Sequence, residues 1–96
     1  MARAYWIAAY RSVSNPEALA RYAKLAGPLI EGQGGRILSR GPPARVYEEG
    51  VAQRVVIVEF PSVDAAIATY ESPAYQELCG ILKGAVERDL RIVEGV

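Results

Sequence analysis

The 96-residue chain has no histidine, one cysteine, one methionine, one tryptophan and one phenylalanine, and its 11 Lys+Arg are balanced by 11 Asp+Glu. Without histidine there is no imidazole metal site, no Ser-His or Cys-His catalytic pair and no imidazole switch near neutral pH. A lone Cys79 cannot close an intrachain disulfide, so the chain is held by its core or by a partner chain. Zero net charge argues against nucleic acid or an anionic membrane surface as partner. No stretch approaches the ~18–20 apolar residues of a membrane span. The first residues lack the charged region followed by a long apolar run that marks a signal peptide. The expectation is a cytoplasmic protein with one domain over residues 1–96. Nine arginines against two lysines, with 15 alanines, suit a GC-rich bacterial genome. Glu48 and Glu49 are adjacent and point apart in an extended chain, and there is no Asp-rich loop, so no metal site is expected, and no cofactor.

What is present is apolar: hydrophobic residues make up 51% of the chain. From Arg3 to Arg11 the sequence reads as a strand, with Ala4, Trp6, Ala8 and Tyr10 on one face and Tyr5, Ile7 and Ala9 on the other. Both faces are apolar, which is unusual for a strand with one wet side. Ser14-Asn15-Pro16-Glu17 starts a helix, with Asn15 as cap, Pro16 at the first helical position and Glu17 at the positive end of the dipole. Leu19, Tyr22, Ala23, Ala26, Leu29 and Ile30 form its apolar stripe. Gly27-Pro28 is expected to kink or interrupt it, and Gly32-Gln33-Gly34-Gly35 to end it.

A short strand, Arg36 to Gly41, stops at Pro42-Pro43 and gives way to a polar loop over 42–53. Arg54 to Phe60 is a near-continuous apolar run, the sign of a strand covered on both faces. Ser62 caps a short helix, and Ser72-Pro73 opens a longer one with Tyr75, Leu78, Cys79, Leu82 and Val86 on one face. Leu90 to Val93 is the last strand. The order β-α-β-β-α-β is the ferredoxin-like arrangement: an α+β fold with a four-stranded antiparallel sheet and both helical segments on one face. The second faces of strands one and three then need a cover. The least demanding cover is a second copy of the same sheet, giving a homodimer that buries about 1,000–2,000 Å².

Several segments also resemble a known family. They are Tyr5-Trp6-Ile7, Asn15-Pro16-Glu17, Gly34-Gly35-Arg36 with Arg40-Gly41, Glu59-Phe60-Pro61-Ser62, Tyr70-Glu71-Ser72-Pro73-Ala74-Tyr75 and Val93-Glu94-Gly95. Together they resemble the domain-of-unknown-function 1330 family over essentially the whole chain. The resemblance implies the dimeric α+β barrel, in which two sheets meet face to face. It implies no reaction. The structural relatives of that family include cofactor-free monooxygenases, muconolactone-isomerase-like enzymes, haem-degrading enzymes and plain ligand-binding modules. This chain has Gln33 where relatives often carry histidine, and Cys79 and Leu82 where they often carry basic residues.

Glu59 is the sharpest anomaly, a carboxylate at the end of Val-Val-Ile-Val. Buried, it would need a partner or stay protonated, and it would then suit an acid or base; at a strand end it would pair with arginine. Arg36 and Arg40, at even separation, are expected to share a face and could clamp a carboxylate or phosphate, or form a solvated edge. Tyr5, Trp6, Tyr22 and Tyr75 are candidates for an aromatic pocket between helices and sheet, or for core with their hydroxyls at the rim. Cys79, in an apolar stripe, reads as inert. Two functions remain open. One is a dimer binding a small organic or anionic ligand in that pocket. The other is a cofactor-free enzyme, monooxygenase- or isomerase-like, with Glu59 as base and arginine holding an anionic oxygen.

Overall fold

The computed structural model describes residues 2–96. Its elements are β1 (Ala4–Val13), α1 (Pro16–Gly32), β2 (Arg36–Gly41), β3 (Val55–Phe60), α2 (Val63–Glu71), α3 (Pro73–Leu82) and β4 (Val86–Glu94). The strands make one antiparallel sheet in the order β2-β3-β1-β4. This is the ferredoxin-like arrangement, with its second helical segment divided at Ser72. No described helix is long and apolar enough to cross a membrane.

The helix starts follow their caps. Asn15 Oδ1 accepts the Ala18 N–H at 3.1 Å, Ser62 Oγ the Ala65 N–H at 3.0 Å, and Ser72 Oγ the Tyr75 N–H at 3.2 Å. Each cap is worth about 1 kcal/mol. The last also fixes Tyr75 in the first turn of α3. The helices cover the sheet face that carries Ala4, Trp6, Ala8 and Tyr10 of β1 and Val58 and Phe60 of β3, all buried. Tyr22, Ala26 and Ile30 of α1, Ala66 of α2 and Tyr75 and Leu82 of α3 close onto them. Gly35 is needed where α1 turns into β2: a Cβ there would lie 2.6 Å from Ile30 Cγ2 and 2.9 Å from Phe60 Cζ.

The domain is a two-layer slab of 36 × 32 × 16 Å. Its other sheet face has no helices. It carries Tyr5, Ile7 and Ala9 of β1, with Ile57 opposite Ile7, Val55 opposite Ala9 and Val93 opposite Tyr5.

Three local expectations are corrected. First, Arg36 and Arg40 do not share a face. The β2–β3 register shifts between Ile37 and Ser39, so Arg36 stands opposite Glu59 while Arg40 stands opposite Val56. The extra residue of the bulge inverts the alternation, putting Arg36 on the bare face and Arg40 on the helix face. Second, α1 runs through Gly27-Pro28 without interruption. Pro28 removes one ladder bond, and the buried residues on either side keep the helix on the sheet.

Third, β4 starts at Val86 rather than Leu90, and Val86 belongs to the strand rather than to α3. Gly84, at φ +76°, turns the chain just after α3. The Ser14 N–H then donates to the Ala85 carbonyl at 2.8 Å, and Val86, Glu87 and Arg88 pair with Val13, Ser12 and Tyr10. Glu87, Arg88 and Asp89 are polar, so hydropathy alone gave no sign of strand there. β1, correspondingly, extends to Val13.

Candidate functional site

On the lengthened β4, Val86, Arg88, Leu90 and Ile92 alternate onto the helix face, where Arg88 stands opposite Tyr10, Leu90 opposite Ala8 and Ile92 opposite Trp6. A guanidinium is thereby carried under the helices. Arg88 Nη2 donates to the Tyr75 hydroxyl at 2.9 Å, and Nη1 donates to the Tyr22 hydroxyl at 3.2 Å and the Tyr10 hydroxyl at 3.5 Å. The Tyr22 and Tyr75 hydroxyls hydrogen-bond each other. Cys79 Sγ lies 3.8 Å from Arg88 Nη2. The Arg88 guanidinium also stands over the rings of Tyr22 and Tyr10, at 5.3 and 5.8 Å from their centroids. These are cation–π distances.

The electrostatics of this cluster follow from burial. Tyr75 is fully buried, and burial pushes its phenol well above the ordinary value, with the Tyr22 oxygen adding to the effect. Burial raises Tyr22 as well, against the lowering pull of Arg88. Burial by itself would lower Arg88; the two phenol oxygens outweigh it and hold the guanidinium above its ordinary value. At neutral pH the cluster is therefore one cation among neutral phenols. Among the described residues no carboxylate forms an ion pair with Arg88; the ion pairs are Arg3–Glu59, Arg11–Asp89 and Arg91–Asp89.

Beside this cluster, between α1 and the sheet, lies a cavity of about 30 Å³. Its walls are Trp6, Ala8, Tyr10 and Val56 from the sheet and Tyr22, Ala26 and Ile30 from α1, with Arg88, Arg40 and Arg54 as the charged groups. The Arg54 Nε is buried and has no hydrogen-bond partner. Trp6 is held by the aromatic rings around it: Phe60 stacks at 5.8 Å, and Tyr70 and Tyr75 stand edge-on at 5.7 and 5.0 Å.

The residues anticipated for one pocket divide between the two faces of the sheet. Trp6, Tyr22 and Arg40 line the cavity. Tyr75 stands behind its wall, positioning Arg88. Tyr5, Arg36 and Glu59 are on the bare face, because Glu59 is opposite both Tyr5 and Arg36 in the sheet register. Glu59 accepts from Arg3 Nη1 at 3.3 Å and from the Tyr5 hydroxyl at 3.4 Å. Its side chain is 16% exposed and that of Arg3 65%. The Glu59 carboxylate thus has the sheet between it and the cavity, and cannot act there as acid or base. Strand parity forces this: Glu59 alternates with Val58 and Phe60, which take the helix face. The sequence does not single out Arg88, and it gives Arg54 only as the first residue of the third strand and one of the arginines flanking the second strand and its loop. The signal for Arg88 was its even spacing from Leu90 and Ile92, hidden because the strand was begun too late.

A model of the family described as Domain of unknown function (DUF1330) matches residues 3–96. No curated protein matches the chain. Among solved structures it is similar to the RPA0582 protein of unknown function from Rhodopseudomonas palustris, with 22% identity and a TM-score of 0.75, over 99% of this chain and 83% of that one. It is also similar to a dimeric ferredoxin-like protein of unknown function from Thermobifida fusca, with 13% identity and a TM-score of 0.68, covering 97% and 91% of the two chains. A third similar structure is SnoaB, a cofactor-independent oxygenase from Streptomyces nogalater, with 10% identity and a TM-score of 0.67, covering 96% and 91%. At these identities the likeness is one of fold.

Proposed function

We propose that this chain, which belongs to the DUF1330 family of unknown function, is a dimeric module that binds a small molecule in the cavity between α1 and the sheet. The observation that carries the reading is a half-buried guanidinium, Arg88, held on neutral tyrosines at the wall of a mostly apolar cavity. Apolar walls with a few fixed polar groups are the usual lining of a ligand site. Holding a half-buried cation there without a carboxylate is costly for structure alone.

The dimer rests on the bare sheet face. Ile7, Ala9, Val55, Ile57 and Val93 lie there, and the Thermobifida fusca neighbour is described as dimeric. Joining two such faces would bury the apolar surface that the helices leave open. The cofactor-free enzyme that the sequence left open finds no carboxylate at this cavity, since Glu59 is on the other face. Arg88, with phenols pushed above their ordinary range, offers charge stabilisation without a base.

The test is a thermal-shift screen of metabolite-sized compounds, followed by fluorescence titration of each hit. Trp6 is the sole tryptophan and lines the cavity, so it reports occupancy directly. The reading predicts hits that change Trp6 emission and are weakened at least tenfold by Arg88→Gln. Hits that leave Trp6 emission untouched and bind the variant equally well would contradict it.

A further inference from the structure

We infer that the ligand is a monocarboxylate with a small apolar body, its carboxylate seated between Arg88 and Arg54. This rests on the cavity reading above and adds the chemical class. At one end of the helix face, two strands and the residue before a third each bring an arginine. β4 gives Arg88 opposite Tyr10, the residue before β3 gives Arg54, whose carbonyl accepts the Tyr10 N–H at 2.9 Å, and β2 gives Arg40 opposite Val56. Tyr10 therefore stands between two arginines, and the third completes a row across the sheet beneath α1. All three line the same cavity, and none is in an ion pair among the described residues.

A row of like charges on one wall is unfavourable unless an anion joins it. The acidic residues of the neighbouring strand positions, Glu87 and Asp89, cannot supply one, because they alternate onto the opposite face. Glu87 accepts from Ser12 Oγ at 3.1 Å, and Asp89 is taken by Arg91 at 2.9 Å. The Arg54 Nε is buried without a hydrogen-bond partner among the described residues. The Arg54 guanidinium edge can meet a planar carboxylate in two parallel hydrogen bonds, while Arg88, whose Nη groups are held by the tyrosine hydroxyls, contributes its charge.

Beyond the arginines, the Trp6 indole and the Tyr10 and Tyr22 phenols, the walls are apolar: Ala8, Ala23, Ala26, Ile30, Ile37 and Val56. Such walls suit a ligand with one charged end and an apolar body. The cavity of about 30 Å³ fits the head of such an acid. Arg40, exposed and 3.8 Å from where a Gly27 Cβ would lie, stands at the mouth beside α1. The body of the ligand leaves there.

The test compares butyrate and benzoate with butyramide and benzamide at constant ionic strength, read by Trp6 fluorescence and confirmed by calorimetry. Each amide keeps the shape of its acid and removes the charge. The expected result is that both acids bind at least tenfold more tightly than their amides. The preference should fall to less than threefold in Arg54→Gln, with native circular dichroism retained. Arg88→Lys, which keeps the charge but loses the planar fork, should weaken the acids and leave the amides unchanged. Amides binding as well as the acids would overturn the carboxylate assignment while leaving a ligand cavity in place. No response to any of the four probes would also overturn it, and the cavity reading would then stand or fall on the compound screen. An acid preference that survives in Arg54→Gln and in Arg88→Lys would overturn the seat between these two arginines.

Discussion

Replacing Tyr75 by phenylalanine removes one oxygen from the centre of the domain and keeps the ring that packs edge-on to Trp6. The hydroxyl accepts a 2.9 Å hydrogen bond from Arg88 and shares another with Tyr22. A hydrogen bond to a charged group contributes about 1.5–3 kcal/mol, and a neutral one about 0.5–1.5. Tyr75→Phe should therefore destabilise the protein by about 2–3 kcal/mol. For a domain of this size that lowers the melting temperature by roughly 8–24 °C, at 4–8 °C per kcal/mol.

The cost should depend on Arg88. In an Arg88→Met background only the neutral bond to Tyr22 remains, and Tyr75→Phe should then cost about 1 kcal/mol. The coupling, about 1–2 kcal/mol, is the quantity a double-mutant cycle isolates. Urea denaturation of the four proteins at one fixed protomer concentration provides it, the concentration being held because a dimer's stability varies with it. A coupling below about 0.5 kcal/mol would mean that Tyr75 does not hold the guanidinium, and the derivation of the cluster would fail.

Other outcomes follow from the same geometry. Glu59→Gln removes an ion pair whose arginine is largely exposed, so it should cost under about 1 kcal/mol and leave every ligand response at Trp6 unchanged; a lost response would put Glu59 back in the site. Tyr22 and Tyr75 have native pKa values above the unfolded value of about 10, so their contribution to stability is complete below pH ~10 and is lost above it, with a slope of up to about 2.7 kcal/mol per pH unit for two protons. Phenolate absorbance on raising the pH should show Tyr22 and Tyr75, identified by the Tyr→Phe variants, ionising only as the fold opens; their ionisation in a protein with native circular dichroism would contradict their burial. Ile57→Asp, placed beside Ile7 on the bare face, should turn a dimer into a folded monomer of 10.4 kDa by sedimentation; a wild-type protein that is already monomeric at micromolar concentration would refute the sheet-to-sheet pairing.

Much of the fold was legible because its signals are local and redundant. Asn15-Pro16, Ser62 and Ser72-Pro73 mark three helix starts, and each cap makes the hydrogen bond its residue type promises. The doubly apolar β1 and β3 pointed to a sheet with an uncovered side. The site was less legible, because it depends on parity, and parity depends on single residues. One extra residue in β2 sent Arg36 and Arg40 to opposite faces. A strand that begins at Leu90 hides Arg88, which hydropathy reads as solvent-facing and pairing with Tyr10 brings under the helices. Glu59 drew attention as a charge in an apolar run, yet its alternation with Val58 and Phe60 already placed it away from the helices. The sequence puts the Tyr22 and Tyr75 hydroxyls at a pocket or at the rim of the core; in the structure they meet each other at Arg88, a cation whose position the sequence does not reveal.

A crystal structure of the protein with a hit from the compound screen bears most directly on the central claim. The account predicts electron density for the ligand between α1 and the sheet, against Trp6 and Tyr22, with a polar atom in hydrogen-bond contact with Arg88. Density on the bare face against Tyr5, Arg36 and Glu59, with the cavity beside Arg88 empty, would contradict it.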